Sequence, residues 1–174
     1  MARILMVAAE GLPFIKSGGL ADVIGSLPNE LAKKGHEVRV IMPLYLKIAQ
    51  KFHHEFTLEA QFSVSIAYHE VPVNIWSTMR KDVKFYFVEH KGYFEREEMY
   101  GHIDDGERFA YFQKAVIEMC NQLNYFPEIM HCHDWHTGMI PAMCKEGHSF
   151  DERYRNIRFV YTIHNLAYQG NFGV

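Results

Sequence analysis

Paired cysteines are missing from this sequence: Cys120, Cys132 and Cys144 are odd in number and form no CxxC. That argues against a disulfide framework or a thiolate zinc site and fits reduced thiols in a cytoplasm. A basic surplus is missing too, since 18 Lys and Arg against 21 Asp and Glu leave a formal charge of −3. Sequence-independent nucleic-acid binding needs a dense positive face, so a nucleic-acid partner is excluded. Long apolar runs are also absent. The stretch from Ile4 to Ala9 stops at Glu10, too short for a signal-peptide core or a membrane span. The expectation is a soluble, unsecreted, cytoplasmic protein with no membrane partner. Internal repeats, low-complexity tracts and linkers are lacking as well, so residues 1–174, 48% hydrophobic, read as one α/β domain.

Arg3 to Ala9 has the continuous apolar character of a central strand covered by helices on both sides. A loop with Pro13, Gly18 and Gly19 follows, and then Leu20, Val23, Ile24, Leu27 and Leu31 recur at helical spacing. Pro28 lacks an N–H and crowds the preceding turn, so the helix is placed at 20–34 with a break there, and Gly35 reads as its stop. His36 to Met42 is a second strand, completing a right-handed βαβ unit. Alternating segments such as Phe62, Val64, Ile66 and Val83, Phe85, Phe87 suggest inserted antiparallel strands between 55 and 89. Further on come a helix over 107–123, a strand over 129–132, a helix over 137–145 and a strand over 157–163. Gly170 to Val174 form a glycine-containing loop just after a strand, which reads as a cut. The fold expected is α/β, an open parallel Rossmann-like sheet with helices on both faces and an inserted antiparallel hairpin region.

Open parallel sheets bind ligands beyond the carboxyl ends of their strands, and three clusters fall there. Glu10 through Asp22 contains Lys16-Ser17-Gly18-Gly19-Leu20-Ala21-Asp22. Paired glycines admit a ligand close to the backbone, N–H groups opening a helix favour anions or hydroxyls, and Lys16 adds a charge for phosphate. Neither a phosphate loop nor a GxGxxG fingerprint is present, and a plain turn into a helix is the bland alternative.

The second cluster is His131-Cys132-His133-Asp134-Trp135-His136. Its ligand types make it a near miss to the HxHxDH pattern of metallo-β-lactamase-like hydrolases. It also suits sugar binding, with Asp134 on hydroxyls and Trp135 against a pyranose face, or a purely structural role as helix cap and core. These three readings stay open on the residues alone. The third cluster runs from Thr162 and His164 to Gly170. Tyr93 through Arg108, with Tyr100, Gly101, His102 and Asp105, lines a cleft or is a solvated loop.

Together these segments resemble the glycogen and starch synthases. Lys16 to Val23 is similar to that family's KTGGLADV signature with Ser17 for Thr, His131 to His136 to its H-x-HDWH segment, and His164 to Gly170 to its HNLAYQG segment. The resemblance spans essentially the whole chain. It implies the N-terminal half of a GT-B fold, in a retaining enzyme without metal or cofactor. That enzyme moves glucose from ADP-glucose to the non-reducing end of an α-1,4-glucan, and UDP stays open because base-reading contacts lie outside these residues. Lys16 would meet the donor's phosphate or sugar, with Gly18 and Gly19 bringing backbone N–H groups to the same place and Asp22 supporting the loop. Asp134 and His164 would hold glucose or acceptor hydroxyls, joined in the cleft by Tyr100, Asn165 and Gln169. The family's diphosphate-binding groups belong to a C-terminal domain absent from these residues, so the 174-residue piece is expected to fold but to transfer nothing. A metallohydrolase using His131, His133, Asp134 and His136, and a non-catalytic glucan-binding module, are the competing readings.

Overall fold

In the computed structural model, which describes residues 1–171, the apolar run near the N-terminus is strand β1 (Arg3–Val7). It sits between β2 (Glu37–Pro43) and β6 (Ile129–His133), parallel to both. β5 (Val83–Glu89) continues the parallel set beyond β2, and β7 (Arg158–Thr162) continues it beyond β6. The hairpin of β3 (Thr57–Ile66) and β4 (His69–Arg80) adds two antiparallel strands to β5, giving one seven-stranded sheet in the order β3-β4-β5-β2-β1-β6-β7. The expected parallel sheet with an antiparallel insertion is thus a mixed sheet. The ladder of β4 with β5 ends at Asn74 opposite Glu89, so His69 to Val73 run on past the carboxyl ends of the parallel strands.

Both faces are covered. On one, Ile24 of α1 (Gly19–Lys33) reaches the Met42 side of β2, and Phe14 packs edge-on to Phe87 at 4.8 Å, with Phe52 at the end of α2 (Leu46–Phe52) beside it. On the other, the Arg39 guanidinium donates to the Tyr86 hydroxyl at 2.6 Å. It also lies 3.6 Å over the ring of Tyr125, just past α4 (Asp105–Gln122). With helices on both sides, β1 has no wet face: Leu5, Met6 and Val7 are wholly buried.

The expected break at Pro28 does not occur. α1 runs on through it for 15 residues, because Pro28 is itself buried on the same stripe as Leu20, Ala21 and Ile24, and that packing outweighs the missing backbone bond. Gly35, at φ +86, ends the helix as expected, its N–H donating to Ala32 O at 2.8 Å. The helix expected over 137–145 starts later. A 3₁₀ turn at Trp135–Thr137 comes first, and α5 (Ile140–Gly147) follows with Pro141 in its opening turn. Two four-residue helices, α3 (Lys91–Phe94) and α6 (Glu152–Arg155), and a 3₁₀ turn at His53–Glu55 complete the elements of the described residues. The reading of residues 172–174 as part of a cut loop lies outside them.

From β1 the chain moves outward through α1 to β2, and after β5 it returns through α4 to β6 on the other side of β1. The switch between β1 and β6 opens a crevice at their carboxyl ends.

Candidate active site

That crevice is a cleft of about 950 Å³. It gathers the loops after β1, β6 and β7 and the segment before α4, bringing together Glu10, Gly18, Tyr100, Asp134, His164 and Gln169 among others. Gly19, Gly101, Asp105 and Asn165 also border it. Of the residues that the resemblance placed on substrate, Lys16 and Asp22 are not among its lining, nor are His131 and His133 of the competing metal reading. Lys16 and Asp22 face each other instead, Lys16 Nζ lying 2.7 Å from both Asp22 carboxylate oxygens with the two side chains half exposed.

Glu10 shapes the first loop. Its buried carboxylate accepts from the Ser17 N–H and, at 3.3 Å, from the Gly18 N–H. Gly18 caps α1 with extended backbone and no side-chain bond, and the space where a Gly19 Cβ would stand is open to 4 Å. The backbone opening α1 therefore meets the cleft unobstructed, with the positive end of the helix dipole behind it.

Asp134 carries φ +59 and ψ 179, a conformation nearly confined to glycine that costs other residues about 1–3 kcal/mol. The strained backbone turns its carboxylate across to the third loop, where Oδ1 accepts from the His164 N–H at 2.7 Å. Asp134 N donates to Thr162 O at 3.0 Å, tying the same two loops a second time. Asn165 and Gln169 spend part of their polar capacity inside their own loop, on Ala167 N and Leu166 O. Gly170, at φ +68, would put a Cβ 2.6 Å from the Trp135 indole, so only glycine lets this loop lie on that ring.

One wall is aromatic. Trp135 stacks on His136 at 4.0 Å, with Phe109 and Tyr100 against the same imidazole at 4.5 and 5.0 Å. Behind Tyr100, the wholly buried Arg108 donates to Tyr93 O at 3.0 Å and also to Met99 O, while Asp105 accepts from Gly101 N at 2.7 Å. These bonds hold the 93–105 segment against the cleft. The lining holds three carboxylates, Glu10, Asp105 and Asp134, and among the described residues no Lys or Arg. Such a surface suits hydroxyl groups better than phosphate.

His131, His133, Asp134 and His136 do not converge on a common point. The His131 and His133 rings stack at 4.0 Å, His133 Nδ1 is 2.9 Å from His164 Nε2, and Asp134 turns to the His164 backbone. Among the described residues no group of three or more His, Cys, Asp or Glu is placed to hold a metal ion.

Burial pulls His133 and His136 from the ordinary 6.5 down to about 3. Between those values the unfolded chain takes up protons that the folded one refuses, so stability falls as pH drops, by up to about 1.4 kcal/mol per unit for each ring. The thermal midpoint is expected to fall from about pH 7 to about pH 5, and less steeply in His136→Asn. A midpoint flat over that range would contradict this account.

Sequence reasoning named Asp105 as a candidate cleft residue, placed Glu10 inside a candidate segment without singling it out, and gave no role to Arg108. A carboxylate that folds back on its own loop, or a guanidinium that clamps carbonyls, leaves no spacing signature.

Among known proteins, the chain is 46% identical over 171 residues to a glycogen synthase of Streptococcus agalactiae serotype III, strain NEM316, covering 98% of this chain and 36% of that protein. A glycogen synthase of Clostridium kluyveri is 45% identical over 170 residues with the same coverage. The chain thus spans about a third of the length of the curated relatives it matches. The solved catalytic domain of starch synthase IV from Arabidopsis thaliana, bound to ADP and acarbose, superposes with a TM-score of 0.86 at 29% identity, over 97% of this chain and 35% of that one. No helix among the described residues is long and apolar enough to cross a membrane. With residues 3–174 matched by the family model for the starch synthase catalytic domain, the chain belongs to that family.

Proposed function

We propose that residues 1–174 form the N-terminal domain of a retaining glucosyltransferase, a glycogen synthase that moves glucose from ADP-glucose to the non-reducing end of an α-1,4-glucan. A second, nucleotide-binding domain would close over the cleft. The observation that carries this reading is the single cleft uniting Gly18, Asp134 and His164, lined with carboxylates and, among the described residues, lacking Lys and Arg. Breaking a glucosyl–phosphate bond puts positive charge on the sugar ring and negative charge on the departing diphosphate. Preorganised groups lower that barrier only where they face the charge that develops. Asp134, with Oδ2 not engaged by His164, answers the ring, and the opening N–H groups of α1 answer an oxygen of the diphosphate. The bulk of the diphosphate charge requires cations from elsewhere. Lys16 could contribute only by leaving Asp22. The Arabidopsis structure, solved with ADP and acarbose, supports both halves of the reading.

The test joins residues 1–174 to the remaining two thirds of the Streptococcus agalactiae relative and assays glucose incorporation into glycogen from ADP-glucose and from UDP-glucose. The chimera is expected to elongate glycogen with ADP-glucose, and the 174-residue chain alone to transfer nothing. A folded chimera that is inactive beside an active parent relative would overturn the proposal, as would transfer by the short chain.

A further inference from the structure

His133 does not line the cleft, yet it is wholly buried in contact with His164, which does. The two rings lie 5.2 Å apart at 22°, with His133 Nδ1 2.9 Å from His164 Nε2. On its other side His133 is backed by the His131 ring, itself fixed by a 2.7 Å bond between His131 Nε2 and Thr162 Oγ1. The register of β6 and β7 sets Thr162 opposite His133, so two strands hold the stack in place. The remaining nitrogen, His133 Nε2, is buried without a partner among the described residues.

A neutral imidazole has one N–H and one bare nitrogen. With the proton on Nε2, His133 would bury a donor that nothing accepts, at about 1–3 kcal/mol. With the proton on Nδ1, its only donor is used on His164 and just a lone pair goes unmatched. The doubly protonated form is excluded at neutral pH, because burial holds His133 near 3. We infer that His133 is a positioning residue whose Nδ1–H donates to His164 Nε2, fixing His164 as a neutral ring protonated on Nδ1. His164 then offers a hydroxyl in the cleft a hydrogen-bond donor. It cannot take a hydroxyl proton through Nε2, whose lone pair is already engaged. The inference rests on the reading of the cleft as a glucose site only for what His164 serves, not for the tautomer.

Long-range proton–nitrogen correlation spectra of the 174-residue chain at neutral pH distinguish the tautomers directly. The expected result is a protonated Nδ1 and a bare Nε2 on both His133 and His164. His133→Phe removes the donor and is expected to move the His164 proton to Nε2. His133→Asn supplies an amide N–H in place of Nδ1–H and is expected to restore the Nδ1 form. In the chimera, His133→Phe is expected to lower kcat roughly 10–100-fold with KM little changed, and His133→Asn to recover most of it. A wild-type His164 protonated on Nε2 would overturn the inference, as would a tautomer or kcat indifferent to His133→Phe. If His133→Phe does not fold, the wild-type spectrum and His133→Asn still decide. The expected tautomers in a chimera that transfers no glucose would defeat the functional reading and leave the tautomer assignment standing.

Discussion

Exchanging Arg108 for methionine is expected to destabilise the chain by about 3–5 kcal/mol, the range for removing one partner of a buried ion pair. The Arg108 side chain is fully buried, and its Nε lies 3.3 Å from Asp105 Oδ1, close enough for coulombic attraction though not aligned for a hydrogen bond. Methionine restores the volume and the contact with the Phe94 and Phe109 rings, which now lie 5.3 and 4.9 Å from the guanidinium carbon. It cannot restore the charge facing Asp105 or the donors to Tyr93 O and Met99 O. The loss should appear in urea titrations as a lower midpoint at unchanged slope. Adding Asp105→Asn should recover part of it, since the orphaned charge is then gone. A loss under about 1 kcal/mol would mean that water reaches the site and that the pair is as weak as an exposed one.

Asp134→Gly is expected to separate stability from activity. Glycine relieves the strain at φ +59 but deletes the acceptor of the His164 N–H, two opposing effects of about 1–3 kcal/mol each. The folded chain should therefore be nearly as stable as before, while glucose transfer by the chimera falls about 10²–10³-fold, as for loss of one preorganised electrostatic group. Asp134→Asn keeps an oxygen for His164 and keeps the strain, losing only the charge. Comparable losses in both variants would assign the effect to the carboxylate's charge. Wild-type transfer in the asparagine variant would assign it to loop geometry alone.

The parallel core was legible because buried strands declare themselves as apolar runs, as in Ile4 to Ala9, and because glycine at +86 stops a helix where Gly35 stands. The hairpin was visible as alternation but without bounds, since β3 is half exposed along most of its length. α3 and α6, at four residues each, are too short for a helical period to register. α4 misled differently. Its apolar stripe pointed to one buried face, whereas Arg108, Tyr111 and Gln113 are also buried, because the 93–105 segment and the hairpin cover its other sides. In the cleft, Gly18, Asp134 and His164 could be read from their motifs. That Lys16 and Asp22 satisfy each other could not, because pairing depends on side-chain reach across a loop rather than on order along it.

The overrun of β4 past the carboxyl ends of the parallel strands has a mechanical meaning. From that ribbon, Pro72 O accepts from the Tyr111 hydroxyl at 2.8 Å and Ser65 O from Lys114 Nζ at 2.6 Å, so it grips α4 at mid-length. It serves as a strut for a helix whose first residue, Asp105, borders the cavity. A bond made at the far edge of the sheet thus braces, from a distance, the helix that carries one wall of the opening.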